Sequence, residues 1–211
     1  MLTLLSLRRT ASVETSSRIR KSYMNVVLGP VPSRRLGRSL GINNIPPEVC
    51  TYACVYCQLG RPLTMRVDRQ AFYDQDEVIR AVREKVAGAR AHGELIDYLT
   101  FVPAGEPTLD LNLAAEISAL RELQIPIAVI SNASLIWRED VRNDLMGADW
   151  VSLKVDAVQA PIWRRINRPH GKLELYRILN GVRAFAEAFE GELTTETMLV
   201  KDVNDDEASI R

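Results

Sequence analysis

After a first short strand-like run, "RSLGINNIP" (Arg38 to Pro46), one order repeats four times: a segment with apolar residues at helical spacing, then an apolar strand. "DQDEVIRAVREKVAGARA" (Asp74 to Ala91) leads to "ELIDYLTFVP", and "LNLAAEISALREL" to "IPIAVISN". "REDVRNDLM" leads to "DWVSLKVDA", and "LELYRILNGVRAFAEAF" to "ELTTETMLV". Strands that alternate with helices are joined by right-handed crossovers into a parallel sheet, which excludes sandwiches, bundles and antiparallel barrels. Near-continuous apolar strands such as "IAVIS" fit a sheet covered by helices. The expected fold is therefore α/β, a partial TIM-like barrel of about five βα units. In such sheets function gathers at the C-terminal ends of the strands. The polar segments to inspect are thus those after the strands: "CTYACVYC", "AGEP", "SNAS", "KVDA" and "KDVND".

At 211 residues, with 46% hydrophobic and 26% charged residues, the chain can bury a substantial core. Lysine plus arginine equals aspartate plus glutamate at 27 each, so no global field points to a polyanion or an anionic membrane. Any such partner must be met by a local patch. No apolar run is long enough to span a bilayer. Residues 1–23 are rich in serine and arginine with Glu14 as the only acid, superficially like a transit peptide. They are expected to be a disordered extension or a mis-assigned start, with the domain running from 24 to 211.

All three cysteines lie in one loop, Cys50, Cys54 and Cys57. An odd number of thiols within eight residues opposes a secreted disulfide framework and favours metal ligation or nucleophilic chemistry in a reducing compartment, the cytoplasm by default. A structural zinc site wants four ligands, and His92 and His170 are both remote in sequence. A cubane iron–sulfur cluster normally has one cysteine on each of its four irons, so three cysteines would leave one iron open to a ligand.

The spacing C-x3-C-x2-C, with Tyr56 before the last cysteine, resembles the signature of the radical S-adenosylmethionine (radical SAM) enzymes. The longer stretch "GPVPSRRLGRSLGINNIPPEVCTYACVYCQLGR" is similar to the opening of a subgroup distantly related to the wyosine-forming tRNA enzymes. The resemblance implies a 4Fe-4S cluster on Cys50, Cys54 and Cys57, with S-adenosylmethionine on the open iron. Reductive cleavage would then yield a 5'-deoxyadenosyl radical that abstracts hydrogen from a substrate. It also implies an electron donor such as a flavodoxin or ferredoxin.

The resemblance assigns further residues. "AGEP" resembles the family's glycine-glycine-glutamate-proline loop, so Ala104, Gly105 and Glu106 would receive the cofactor's ammonium, the carboxylate by a charge-assisted bond. Ala104 stands where the family has glycine, which puts close backbone approach or a positive dihedral there in question. Asn132 and Ser134 follow the third strand, where relatives place groups that bond the ribose or carboxylate. Lys154 and Asp156 share one strand face; they either contact cofactor or substrate, or form an ion pair in the lumen. Arg34, Arg35 and Arg38, with Arg164, Arg165, Arg168, His170 and Lys172 beside Trp163, would form a basic rim if both segments reach the barrel mouth. Such a rim suits RNA, a nucleotide or another phosphorylated substrate; the alternative is a solvated loop with scattered ion pairs. Two alternatives stand: a non-catalytic zinc or iron–sulfur protein, and an activating enzyme that places a radical on a protein partner. The chain ends where a sixth unit would begin, so a sixth strand is expected to be missing and the open barrel edge available for self-association.

Overall fold

The computed structural model describes residues 26–207, and the expectation for residues 1–23 lies outside them. Six strands form the main sheet in the order β1-β2-β5-β6-β7-β8. Five of them are parallel: β2 (Gly37–Ile42), β5 (Tyr98–Phe101), β6 (Ile127–Ser131), β7 (Trp150–Lys154) and β8 (Glu192–Glu196). β1 (Val27–Ser33) adds antiparallel to β2 through a tight turn, a hairpin the βα pattern did not predict. β3 (Val49–Cys50) and β4 (Thr64–Met65) pair apart from the main sheet.

The helices follow the expected alternation. α1 (Gln75–Ala91) starts where the Asp74 carboxylate accepts the backbone N–H groups of Asp76 and Glu77 at 3.0 and 3.2 Å, and it stops before Gly93 at φ 73°. α2 (Leu113–Leu120), α3 (Glu139–Leu145) and α5 (Leu175–Ala188) agree with the spacing of their apolar residues. α4 (Ala160–Asn167) corrects the sequence reading, which left "WRRINRPHGKL" without a helix. The signal was Pro161 in the first turn, where its fixed φ and missing N–H cost nothing.

Alternation along the strands separates two faces. Leu40, Ile42, Leu99, Phe101, Ile127, Val129, Val151 and Leu153 point outward and are buried in one cluster with α1, α2, α3 and α5. Inward lie Ser39, Thr100, Ala128, Trp150 and Ser152, and Leu36 from the β1–β2 turn packs on Ala128 and Trp150. That turn sits where β2 and β5 begin, so it closes the N-terminal end of the half-barrel.

Candidate functional site

The loop that carries the cysteines is held from two sides. On one side the "AGEP" loop lies against β3, with the Glu48 N–H donating to the Ala104 carbonyl at 2.8 Å and the Glu106 N–H to Val49 at 3.3 Å. Gly105 is required there, because a Cβ would overlap the Val49 carbonyl oxygen and come within 2.8 Å of Ile45 Cδ1. Ala104 is outside the left-handed region, so its side chain costs no backbone strain. On the other side the Ala53 N–H donates to the Asn167 carbonyl at 3.0 Å, Val55 to Ile166 at 2.8 Å, and His170 to Thr51 at 2.9 Å. The end of α4 and the segment after it thereby become the outer wall of the site.

Cys50, Cys54 and Cys57 line one cavity of about 190 Å³ together with Pro103, Ala104 and Gly105. Among the described residues no three His, Cys, Asp or Glu side chains converge closely enough to hold a single metal ion. Three thiols with no fourth cysteine in the chain suit an iron–sulfur cluster with one open iron, whereas a closed zinc site wants four protein ligands. Burial pushes the Cys50 thiol up to about 12 and raises that of Cys54, so thiolates there need a cation's charge to form. Two side-chain amides reach the sulfurs, Asn132 Nδ2 at 3.5 Å from Cys50 and Asn167 Nδ2 at 3.4 Å from Cys54. Donors aimed at sulfur are how proteins support cluster ligands. The donor set fits a 4Fe-4S cluster.

Glu106 is completely buried and turned away from this cavity. Its Oε1 accepts the Thr108 N–H at 3.1 Å, the Thr108 hydroxyl at 2.6 Å and the Ser131 hydroxyl at 2.7 Å, while Oε2 accepts the Asn132 N–H at 2.7 Å. Burial raises its pKa and these four donors oppose the rise. The carboxylate thus ties the end of β6 to the "AGEP" loop, and it is Ala104 and Gly105 of that loop that line the cavity. Ser134, also fully buried, donates to Thr51 Oγ1 at 2.7 Å, which Asn132 Nδ2 also meets at 2.8 Å. Thr51, Ser131 and Asn167 were not singled out from sequence, because nothing in their local pattern separates them from ordinary loop or helix residues.

At the ends of β7 and β8, Lys154 Nζ stands 3.9 Å from Asp156 Oδ1 and 4.0 Å from Glu196 Oε2, so the lumen ion pair is present. The same ammonium lies 5.0 Å from the centre of the Tyr56 ring. Asp156 accepts the Tyr56 hydroxyl, Asn167 Nδ2 at 2.6 Å and the Met198 N–H at 2.8 Å. Tyr56, Asp156 and Asn167 therefore join the cysteine loop to the inner face of the sheet.

The two basic segments do not meet. Arg34 and Arg38, with the backbone of Arg35, lie at the β1–β2 turn, at the opposite end of the half-barrel from the cysteines, because the strand from Gly37 to Ile42 separates them from the loop; the Arg35 guanidinium instead reaches Glu196 at the end of β8, beside Lys154. Arg38 is forked onto Asp97 at 3.0 Å through both nitrogens, and Arg35 pairs with Glu196 and lies 5.9 Å from the Trp150 ring centre. Lys172 is 3.6 Å from Asp68 and Arg165 is exposed away from either cavity. Of the expected rim, Arg164, Arg168 and His170 stand beside the site, joined by Arg61, and Arg35 approaches it from the lumen through Glu196.

A parallel half-barrel thus brings three thiols and a loop that requires Gly105 to one cavity at the ends of its strands. Residues 44–210 match the model of the radical SAM superfamily, and the chain belongs to that superfamily. It is 53% identical over 187 residues to a UPF0026 protein of Methanocaldococcus jannaschii, covering 89% of this chain and 58% of that relative. The chain thus spans little more than half of that protein's length. Among solved structures it is similar to TYW1 with a lysine-pyruvate adduct bound, at TM-score 0.60 and 16% identity over 96% of this chain and 75% of that one. It is also similar to a radical SAM methyltransferase from Sphaerobacter thermophilus, at TM-score 0.59 and 16% identity over 81% of this chain and 50% of that one. Both likenesses bear out the expected partial-barrel fold. Among the described residues no helix is long and apolar enough to cross a membrane.

Proposed function

We propose that this chain holds a 4Fe-4S cluster on Cys50, Cys54 and Cys57 and is a radical SAM enzyme. The observation that carries the reading is the shared cavity: Cys50, Cys54 and Cys57 line one space with Pro103, Ala104 and Gly105, and there is no fourth cysteine in the chain. When bound and reduced, the cluster supplies the electron that splits S-adenosylmethionine into methionine and a 5'-deoxyadenosyl radical. The chain's own residues position and insulate. The Ala104–Gly105 backbone offers carbonyl acceptors to the cofactor's ammonium; the Glu106 N–H seats that shelf on Val49 of β3, and its carboxylate ties it to the end of β6 through Ser131 and Asn132. Lys154, partly exposed between two acids, is the cation nearest to Tyr56 and suits the cofactor's carboxylate. Asn132 and Asn167 donate to the cluster's thiolates. Ser134 acts through Thr51, by fixing the cysteine loop. A small reduced carrier, such as a flavodoxin or ferredoxin, supplies the electron in the reducing cytoplasm, and the substrate is RNA or a nucleotide.

The test is electron paramagnetic resonance of anaerobically reconstituted, reduced protein with and without S-adenosylmethionine. A reduced cluster signal that changes on addition of the cofactor is expected. A cluster signal indifferent to it, or zinc bound with no cluster, would refute the proposal in favour of a non-catalytic metal protein.

A further inference from the structure

On the far side of the cysteine loop lies a second cavity, of about 610 Å³, to which Ala53, Arg61, Met65, Arg164, Arg168 and His170 contribute. Its size falls within the range of small-molecule sites and exceeds what one phosphate group needs. Four cationic or ionisable side chains rim it, and among the described residues none has a carboxylate within ion-pair distance. What sets these groups apart is their convergence on one cavity rather than the lack of an acid at any one of them, since Arg34, Arg165 and Arg183 are not paired either. That convergence does not follow from composition, since the chain as a whole is neutral. Unpaired guanidinium forks at one cavity present the geometry that phosphate accepts.

The cations are held in place. Arg168 caps α4 at φ 44°, a conformation glycine would adopt without strain, yet the position keeps an arginine. The His170 backbone is bonded to Thr51 of the cysteine loop, and Arg164 is one turn back on α4. The remaining lining is apolar, chiefly Met65, Leu173, Pro62 and Pro169, a floor on which a flat ring can lie. Arg61 and Pro62 also line the cysteine cavity, so a ligand in the basic cavity would abut the cofactor site.

We infer that this cavity binds the phosphate of a nucleotide, free or as one unit of an RNA strand, with base or ribose against Met65 and Leu173. As a substrate site it rests on the reading above; as an anion site it belongs to the metal-free chain and can be tested without the cluster. The experiment titrates metal-free protein with a nucleoside triphosphate, with a short single-stranded RNA, and with inorganic pyrophosphate, by calorimetry at several salt concentrations. The double variant Arg164→Glu/Arg168→Glu is expected to weaken nucleotide binding by about tenfold or more, and the RNA to bind with a log–log salt slope of about −2 for three phosphate contacts. Arg177→Glu, on α5 away from the cavity, is expected to leave binding unchanged. Arg61→Glu, in an exposed loop, repeats the test should the double variant lose its fold. Binding of RNA but not of the triphosphate identifies a strand unit as the ligand; binding of both identifies the free nucleotide. No binding of any phosphate probe, or binding that survives the charge reversals, overturns the inference. None of these outcomes changes the paramagnetic resonance test, so the two readings fail separately.

Discussion

Replacing Gly105 with alanine adds one methyl group at the point where the "AGEP" loop touches β3. The new Cβ would overlap the Val49 carbonyl oxygen and meet Ile45 Cδ1 at 2.8 Å, and Val49 is backbone that cannot rotate aside. The loop must therefore lift, and two backbone hydrogen bonds, Glu48 to Ala104 and Glu106 to Val49, lengthen or break. Each is worth about 1 kcal/mol net, and overpacking costs about 1–3 kcal/mol more, so the expected destabilisation is about 3–5 kcal/mol. At about 2–4 °C per kcal/mol for a chain of this size, Tm should fall by roughly 6–20 °C. Urea unfolding and thermal melts of metal-free protein would measure it. Gly88→Ala serves as the control, since nothing lies within 4 Å of that Cβ inside α1 and the change should stabilise by about 0.5–1 kcal/mol. If Gly105→Ala is as stable as the parent, the loop is not seated on β3 and the account of the cavity wall is wrong.

Burial, with Asp110 nearby, pushes the Glu116 carboxyl up to about 9, and both its oxygens lack hydrogen-bond partners. Its folded pKa lies above the unfolded one, so the stability it allows is complete below about pH 4.5 and is lost as pH rises towards 9, at about 1.4 kcal/mol per unit. Glu116→Gln should remove about 3 kcal/mol of that cost at pH 7 and flatten the pH dependence; urea melts at pH 6 and pH 8 that are already superimposable for the parent would contradict this. Asn167→Leu removes the amide from Cys54 and leaves Asp156 short of a donor, so the reconstituted cluster should titrate at a lower reduction potential, read by spectroelectrochemistry. An unchanged potential would mean that the amide does not support the sulfur. Ser134→Ala should cost about 1 kcal/mol through Thr51 while cofactor affinity holds; a large drop in affinity at unchanged stability would instead place Ser134 against the cofactor.

Local pattern alone determined the repeating βα order, the boundaries of α1 and the thiol loop, because helical spacing, capping groups and cysteine spacing act within a few residues. The parallel sheet and its family followed from the same signals. Partnership across the fold was decided only in three dimensions. Glu106 reads from sequence as an acid open to a ligand, yet 25 residues later Ser131 and Asn132 supply the donors that bury it. Arg34 and Arg38 read as kin to Arg164 and Arg168, but a strand's length separates the two ends of a half-barrel and sends Arg38 to Asp97, while Arg35 is taken up by Glu196. Asn167 carries no local mark, and becomes part of the site because α4 ends against the cysteine loop. Periodicity is a property of neighbours along the chain. Which charge meets which acid, and which remain free to hold an anion, depends on long-range packing that no spacing encodes.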